Sequence, residues 1–207
     1  MDTSDSAPRS AASGRPLRAH ALRNRNALLT AAREAFTAGE MDVRIEEIAR
    51  RAGVGVGTLY RHFETREALI EAVYRGRVDD LCAMAPHLLA TLPPYEALRA
   101  FLEQLIAHAV ESRGMAVALQ TLMDGRSAVF AQARTDMVEA IATLMTAAAK
   151  AGAIRADIAP HTFFLAMGGI CASHDQPGWE SEAHTVVRLL LDGLRHTGAE
   201  EGSRPPK

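Results

Sequence analysis

The chain has 207 residues, a formal net charge of −2 at pH 7 and 39 alanines, and only 5% of its residues are aromatic. Alanine is the strongest helix former, so this composition favours an all-α protein over a large sheet. No apolar run approaches the roughly 18–20 residues of a membrane span. Residues 1–25 lack the apolar segment of a signal peptide, and the two cysteines make neither a disulfide framework nor a CxxC zinc site. We therefore expect a cytoplasmic protein without a metal, a cofactor or a membrane partner.

Charge is distributed unevenly along the chain. Residues 1–77 contain 13 Lys+Arg against 10 Asp+Glu, a balance of +3, and residues 78–207 contain 10 against 15, a balance of −5. A basic N-terminal part indicates an anionic partner at that end. Ordinary scatter of charge explains the difference equally well.

The N-terminal third predicts a disordered arm followed by three helices. Residues 1–20 are rich in Ser, Ala, Pro and Arg without periodicity, and such an arm either lies in a DNA minor groove or is a solvated tail. Apolar spacing then predicts helices at 22–38, 45–52 and 56–62. Gly39 and Gly53 stand where a left-handed residue would end the first two.

The remaining chain predicts six more helices. Thr65 can cap a helix that begins at Arg66, and Pro86 either kinks or ends it. Gly114 is expected to break the next helical stretch. After the helix that begins at Arg66, the sequence predicts helices at 95–112, 115–123, 127–151, 160–172 and 180–196. We thus expect about nine helices, a three-helix domain at 21–66, a helical domain at 67–197, and a disordered tail at 198–207.

Residues 45–63, IEEIARRAGVGVGTLYRHF, have the pattern of a helix-turn-helix. Ile48 and Ala49 are expected to be buried on the first helix, and Leu59 and Phe63 on the second. The second helix then presents a phenol, a guanidinium, an imidazole and a hydroxyl, which are groups that read a DNA groove. Without this spacing, the same side chains would be read as half-buried packing or a solvated face.

The run IA-x-x-AGV-x-x-GTLY-x-x-F, followed by a basic residue at the start of a helix, resembles the DNA-binding domain of the TetR family of bacterial regulators. Three C-terminal segments, at 168–171, 175–179 and 189–195, resemble its SbtR-like branch. The resemblance implies a homodimer formed by the last two helices, and a small molecule that binds the second domain and releases DNA.

The resemblance also implies roles for individual residues of the DNA-binding domain. Positions that usually touch phosphate are Tyr60, His62 and Arg66; positions that usually touch base edges are Val56, Gly57 and Arg61; Thr58 can touch either. Arg61 is the best candidate for guanine, because its fork matches O6 and N7. Arg44 departs from the Thr or Ser common in the family. It cannot cap the second helix, so Asp42 or the backbone would do so, and Arg44 could contact phosphate instead.

An effector pocket should be apolar with a few polar anchors. The candidate lining residues are Met84, His87, Phe101, Leu105, His108, Leu119, Met123, Met137 and Ile141. The alternative is that this set is simply core, with His108 a satisfied core histidine.

The last helix is apolar nearly all round, which is more than one core requires. The candidate dimer-interface residues are Phe163, Phe164, Met167, Trp179, Val187, Leu190, Leu191 and Leu194. Trp179 is either an interface anchor or a plug for the monomer core.

The helix-turn-helix pattern and the resemblance together imply a ligand-responsive transcriptional repressor that binds a palindromic operator as a homodimer in the bacterial cytoplasm and associates with the nucleoid through DNA. One alternative is a regulator of the same fold that needs no ligand or is controlled by a protein partner. A less favoured alternative is a helical enzyme with Cys82 or Cys171 as nucleophile, but no motif surrounds either cysteine.

Overall fold

The computed structural model describes residues 14–122, 128–172 and 178–195, without the side chains of 14–18, 113, 116, 119–122 and 172. All regular structure in these ranges is helical, which confirms the predicted fold class. The eight described helices are α1 (Gly14–Thr37), α2 (Ile45–Arg51), α3 (Val56–His62), α4 (Arg66–Thr91), α5 (Pro94–Leu122), α6 (Ala128–Lys150), α7 (Pro160–Ala172) and α8 (Trp179–Arg195). Residues 1–13 of the predicted arm and the predicted tail at 198–207 lie outside the described residues.

Two predicted helix limits were wrong. α1 begins at Gly14, so the last seven residues of the predicted disordered arm are helical. α5 continues through Gly114 to Leu122, so the predicted helices 95–112 and 115–123 are one. For α4, which continues through Pro86 to Thr91, the option that this proline ends the helix is excluded. One glycine costs a helix only about 1 kcal/mol relative to alanine, and packing against other helices offsets this.

The chain divides into two compact units, Met1–Ile70 and Glu71–Lys207. In unit 1, α1 packs against α2 and α3, which also contact each other. Leu28, Ile48, Ala49 and Leu59 are each at most 1% exposed at the centre of this packing. The small side chain of Ala49 lets the helices cross closely, as the sequence predicts for a helix-turn-helix.

Glycines in the left-handed conformation end α1 and α2 where the sequence predicts. Gly53 has φ +65°, and the N–H of Val54 donates to the carbonyl of Ala49 at 2.9 Å while that of Gly53 donates to Arg50 at 3.1 Å. This pair of bonds is a Schellman motif, and it turns the chain from α2 into α3. At the start of α4, the predicted cap is also present, since Thr65 Oγ1 accepts from the N–H of Ala68 at 3.2 Å.

Unit 2 has one continuous apolar core. α5 packs against α6 and α8, and α7 packs against α6 and α8. Leu98, Phe101 and Ile106 from α5 and Ile141 and Leu144 from α6 are fully buried at its centre. The spacing of these residues is that of an amphipathic helix, so α5 and α6 each contribute one face to the core.

Candidate nucleic-acid interface

α3 presents most of its surface to solvent. Leu59 is its one buried residue, whereas Val56 and Tyr60 are 40% and 43% exposed. Gly57 and Arg61 are also exposed, and Thr58 and His62 are half-buried. A short helix anchored by a single leucine and followed by the buried Phe63 is able to place its outer face in a major groove.

Arg61 differs from most nearby arginines in having no partner for its side chain among the described residues. Its exposed guanidinium forms no hydrogen bond or ion pair with any residue that the structure describes. All of its donors are therefore available to an external acceptor such as a guanine edge.

The hydroxyl of Tyr60 already has a partner on α2. Tyr60 Oη donates to Glu46 Oε1 at 3.2 Å, and Arg44 lies 3.5 Å from the other carboxylate oxygen of Glu46. A hydrogen bond from its own backbone N–H, together with Tyr60 and Arg44, lowers the pKa of Glu46. Desolvation and the Glu46 carboxylate raise the pKa of Tyr60. Tyr60 would have to exchange this carboxylate for a phosphate in order to bind DNA.

Arg44 precedes α2 in an extended conformation and forms no side-chain cap. Its carbonyl accepts the N–H groups of Glu47 and Ile48, which are the first hydrogen bonds of the helix itself. The side chain of Arg44 is 84% exposed, and it therefore extends toward solvent at the edge of α2.

The two arginines at the end of α2 are held by acidic neighbours. Arg50 Nε donates to Glu47 Oε2 at 2.7 Å, and Arg51 donates to Glu47 at 3.0 Å and to Glu40 at 2.7 Å. The hydrogen bonds from Arg50 and Arg51 lower the pKa of Glu47 to about 2. This network ties α2 to the α1–α2 connection and reduces the positive charge that α2 offers to DNA.

Arg66, which was predicted to contact phosphate, donates to backbone carbonyls within unit 1. Its Nη1 donates to the carbonyl of Val43 and its Nη2 to the carbonyl of Met41. The half-buried side chain thereby satisfies two carbonyls of the α1–α2 connection, which have no helical partner. Arg66 is a positioning residue that holds this connection against the start of α4.

The sequence analysis missed a second contact in which an arginine stabilises the helix-turn-helix. The guanidinium of Arg25 lies 5.3 Å from the centre of the Phe63 ring. A cation over an aromatic face is attracted by the ring quadrupole, so α1 stabilises the residue that directly follows α3. The only signal in the sequence was an arginine on the α1 face next to the apolar stripe.

The predicted pocket residues of unit 2 are mostly buried. Phe101, Leu105, Met137 and Ile141 are buried in the core, and His87 is exposed. Met84 packs against the core, and His108 is partly buried. Met123 and the Leu119 side chain lie outside the described residues. The four buried side chains belong to the apolar core cluster of unit 2, and helical spacing alone does not distinguish a core from a cavity lining.

A buried polar cluster in unit 2 was only partly predicted. It consists of Arg77 on α4 with His108, Glu111 and Ser112 on α5. Arg77 ion-pairs with Glu111, and Ser112 Oγ lies 3.4 Å from His108 Nε2. Burial, with the charge of Arg77 adding to it, lowers the pKa of His108 to about 4. Arg77 occupies an apolar position between Val73 and Leu81 at i+4 spacing, a charged interruption that could have indicated the cluster.

Two surface clefts open elsewhere on unit 2. One, of about 370 Å³, lies between the end of α6 and the start of α7, and the other, of about 460 Å³, lies between α4 and α6. None of the predicted pocket residues lines either cleft. Among the described residues, no group of acidic, histidine and cysteine side chains is placed to hold a metal ion. No described helix is both long enough and apolar enough to span a bilayer.

Most of the predicted dimer-interface residues belong to the chain's own core. Six of the eight are at most 6% exposed, namely Phe163, Met167, Trp179, Val187, Leu191 and Leu194. Phe164 and Leu190 are partly buried against the same core. Trp179 Nε1 donates to the carbonyl of Ile170 at 2.6 Å, so this residue is the plug for the monomer core that the sequence left as one of two options.

Apolar side chains that face solvent on α7 and α8 are different residues from those predicted. Leu165 is 53% exposed, Leu189 is 66% exposed and Val186 is 39% exposed. The exposed glycines Gly168 and Gly169 accompany Leu165 on α7. The monomer core thus takes up six of the eight predicted residues, because the face buried in the monomer and the face left outside are both apolar.

Two family models match the chain. Residues 28–73 match "Bacterial regulatory proteins, tetR family", which covers the helix-turn-helix. Residues 93–196 match "Transcriptional regulator SbtR-like, C-terminal domain", which covers α5 to α8.

Solved and characterised relatives agree with both matches. The chain is 45% identical to the TetR transcriptional regulator SCO0520 from Streptomyces coelicolor, with a TM-score of 0.70 over 84% of this chain and 99% of that one. It is 35% identical to a TetR regulatory protein from Mycobacterium vanbaalenii, with a TM-score of 0.67 over 87% and 100%. It is 26% identical to the HTH-type transcriptional repressor KstR2 of Rhodococcus jostii, over 72% of this chain and 80% of the repressor. With the helix-turn-helix geometry of unit 1, these matches establish that the chain is a DNA-binding transcriptional regulator of the TetR family with an SbtR-like C-terminal domain.

Proposed function

We propose that this regulator is a repressor that binds a palindromic operator as a homodimer and is released by a small molecule bound in unit 2. The observation that carries the proposal is the exposed face of α3, where Arg61 has no partner among the described residues. The repressor named among its relatives supports the direction of regulation.

Arg61 is the residue we expect to read a base, because a bidentate guanidinium distinguishes guanine from the other bases. Val56 and Gly57 would lie against base edges, with Thr58 near a base or a phosphate. Tyr60, His62 and Arg44 would contact the backbone and position the helix. Arg66 would reach a phosphate with the N–H groups that remain, because two of its five donors bind carbonyls within unit 1.

A homodimer is supported by the exposed apolar face of α7 and α8. Leu165, Val186 and Leu189 offer large apolar side chains to solvent, and Gly168 and Gly169 would let a partner helix approach closely. In a two-fold dimer the same face meets itself. Two copies of α3 would then contact half-sites about 34–36 Å apart along the duplex.

The effector would bind in unit 2 near His108, the polar group predicted to anchor it. His108 is half-buried on α5, three residues from the buried Leu105, where a ligand would be partly shielded from water. A ligand that binds one conformation of unit 2 more tightly shifts the population toward it. Release of DNA requires that this conformation no longer match successive major grooves.

Selection of duplexes from a randomised library by the full-length protein tests the DNA-binding part of the proposal. We expect a consensus with two inverted half-sites whose centres lie about 10–10.5 base pairs apart, or a multiple of that. On this consensus, Arg61→Ala should lower affinity by about 5- to 150-fold for each of the two half-sites and relax the preference at one guanine in each.

The matched control is Arg134→Ala, which removes an exposed arginine of unit 2 and should leave affinity unchanged. The consensus complex should also weaken with salt, with a slope in log K against log [salt] of about −0.9 per neutralised phosphate. Equal binding of wild type and Arg61→Ala to all sequences would refute the assignment of α3 as the reading helix.

A further inference from the structure

The buried charge of Arg77 is the least expected feature of unit 2. Its side chain is 8% exposed, whereas the side chain of Glu111, its ion-pair partner, is 53% exposed. A buried guanidinium is costly unless an anion compensates it. Arg77 therefore requires a negative group at this place, and an exposed, rotatable glutamate supplies it.

Two further polar side chains, Ser112 and His108, belong to the same cluster as the Arg77–Glu111 ion pair. Ser112 is 3% exposed, and its hydroxyl lies within reach of His108. Because burial keeps His108 neutral at pH 7, its ring offers one N–H donor and one acceptor and adds no charge. The cluster thus combines one buried cation with neutral hydrogen-bonding groups.

The setting of this cluster is apolar. Leu105, His108, Ser112 and Met115 follow one another at three- and four-residue spacing on α5, so they share one face. Leu105 and Met115 are at most 4% exposed, and Val78, next to Arg77 on α4, is fully buried. A molecule bound here would meet a cation at one point and hydrocarbon around it.

We propose that the effector carries a carboxylate that displaces Glu111 from Arg77, with its apolar part among the neighbouring side chains of α4 and α5. This inference rests on the proposed effector function and adds the chemical class of the ligand. Glu111 can rotate into water at little cost, but Arg77 cannot. Exchange of one carboxylate for another keeps the buried guanidinium compensated throughout.

The test uses octanoate as the probe and octanamide as its neutral analogue, titrated calorimetrically into the full-length protein. Glu111→Gln removes the competing carboxylate, so octanoate should bind this variant about five- to tenfold more tightly than wild type. Octanamide should bind both proteins equally. The matched control is Glu103→Gln, which alters another exposed, arginine-paired glutamate of α5 and should leave octanoate binding unchanged.

A second variant, Arg77→Gln, should abolish the preference for octanoate over octanamide. If this variant does not fold, the comparison of Glu111→Gln with wild type still decides the question. The proposal is overturned if octanoate binds neither protein, or if it gains no more than octanamide from Glu111→Gln.

Binding to the selected operator separates this inference from the function on which it rests. Operator binding that is released by a neutral compound, with no octanoate response in Glu111→Gln, refutes the carboxylate and leaves the ligand-responsive repressor intact. Failure of wild type to bind any selected duplex refutes the repressor itself, whatever octanoate does.

Discussion

Three arginines show how one residue type serves three purposes according to its surroundings. Arg61 is exposed and has no partner among the described residues, so its donors are available to DNA. Arg66 is half-buried and donates to backbone carbonyls of the α1–α2 connection. Arg77 is buried and paired with Glu111. Each arginine lies on a helix within three residues of a buried apolar side chain, so the assembled helices decide which partner it meets.

The half-buried His108 should make the stability of the fold depend on pH. Its pKa is lowered from 6.5 to about 4 in the folded protein, so the unfolded chain binds a proton more readily in that interval. Stability should therefore be full above pH 6.5 and fall as the pH drops toward 4, by up to about 3 kcal/mol from this group. Chemical denaturation of wild type and His108→Gln at pH 7, 5.5 and 4.5 measures the difference.

The wild type should lose more stability than His108→Gln over this range. The exposed His87 of α4 provides the control, and His87→Gln should show the same pH dependence as wild type. Parallel loss of stability in wild type and His108→Gln would contradict the assignment of a buried, neutral imidazole.

At the scale of the element, glycine had different effects at different positions. Gly39 and Gly53 end helices because both adopt positive φ, a conformation that other residues enter at a cost. Gly114 lies within α5 and does not end it. A glycine ends a helix when the chain must turn there, and that depends on whether the flanking residues continue to pack.

Gly53 and Gly57 are four residues apart, and substitution of each by alanine should have opposite effects on stability. Gly53→Ala should destabilise the fold by about 1–2 kcal/mol, because alanine at φ +65° is strained although space is available for its methyl group. Gly57→Ala should stabilise α3 by about 0.5–1 kcal/mol, since a Cβ there meets nothing within 4 Å. Thermal unfolding and operator titration of both variants separate folding from recognition.

Folded Gly53→Ala should bind the operator like wild type, whereas Gly57→Ala should bind more weakly, because its methyl group stands on the face proposed to meet the bases. Normal operator affinity of Gly57→Ala would argue that this part of α3 does not approach DNA closely.

At the scale of the whole molecule, assembly depends on which apolar face remains outside. The core of unit 2 takes Val187, Leu191 and Leu194 from α8, and Leu189 and Val186 stay exposed on the same helix. An exposed apolar patch on a protein surface often marks an interaction site. The contact of the proposed homodimer accordingly belongs on the outward face of α7 and α8.

Leu189→Glu should separate the proposed dimer without unfolding either chain. Leu189 is 66% exposed, so a carboxylate is tolerated in the monomer, but two such charges would be buried near each other across a two-fold axis. Light scattering should show the mass of one chain in place of two, and operator affinity should fall because only one half-site is held. The control is Leu92→Glu, which changes an exposed leucine outside α7 and α8 and should keep the mass of two chains. If Leu189→Glu also keeps that mass, the interface lies elsewhere.

The amino-acid sequence by itself determined the all-helical class, the helix-turn-helix and the membership of the family. Those features depend on local signals, such as the spacing of Ile48, Ala49 and Leu59, the turn at Gly53 and the cap at Thr65, and local signals are visible in one dimension. The tertiary structure decided the continuity of α5 through Gly114, the carbonyl contacts of Arg66, the pairing of Arg77 with Glu111, and which side of α8 faces the core. Each of these is a competition between packing partners distant along the chain, and burial energy settles such a competition only once the helices are assembled.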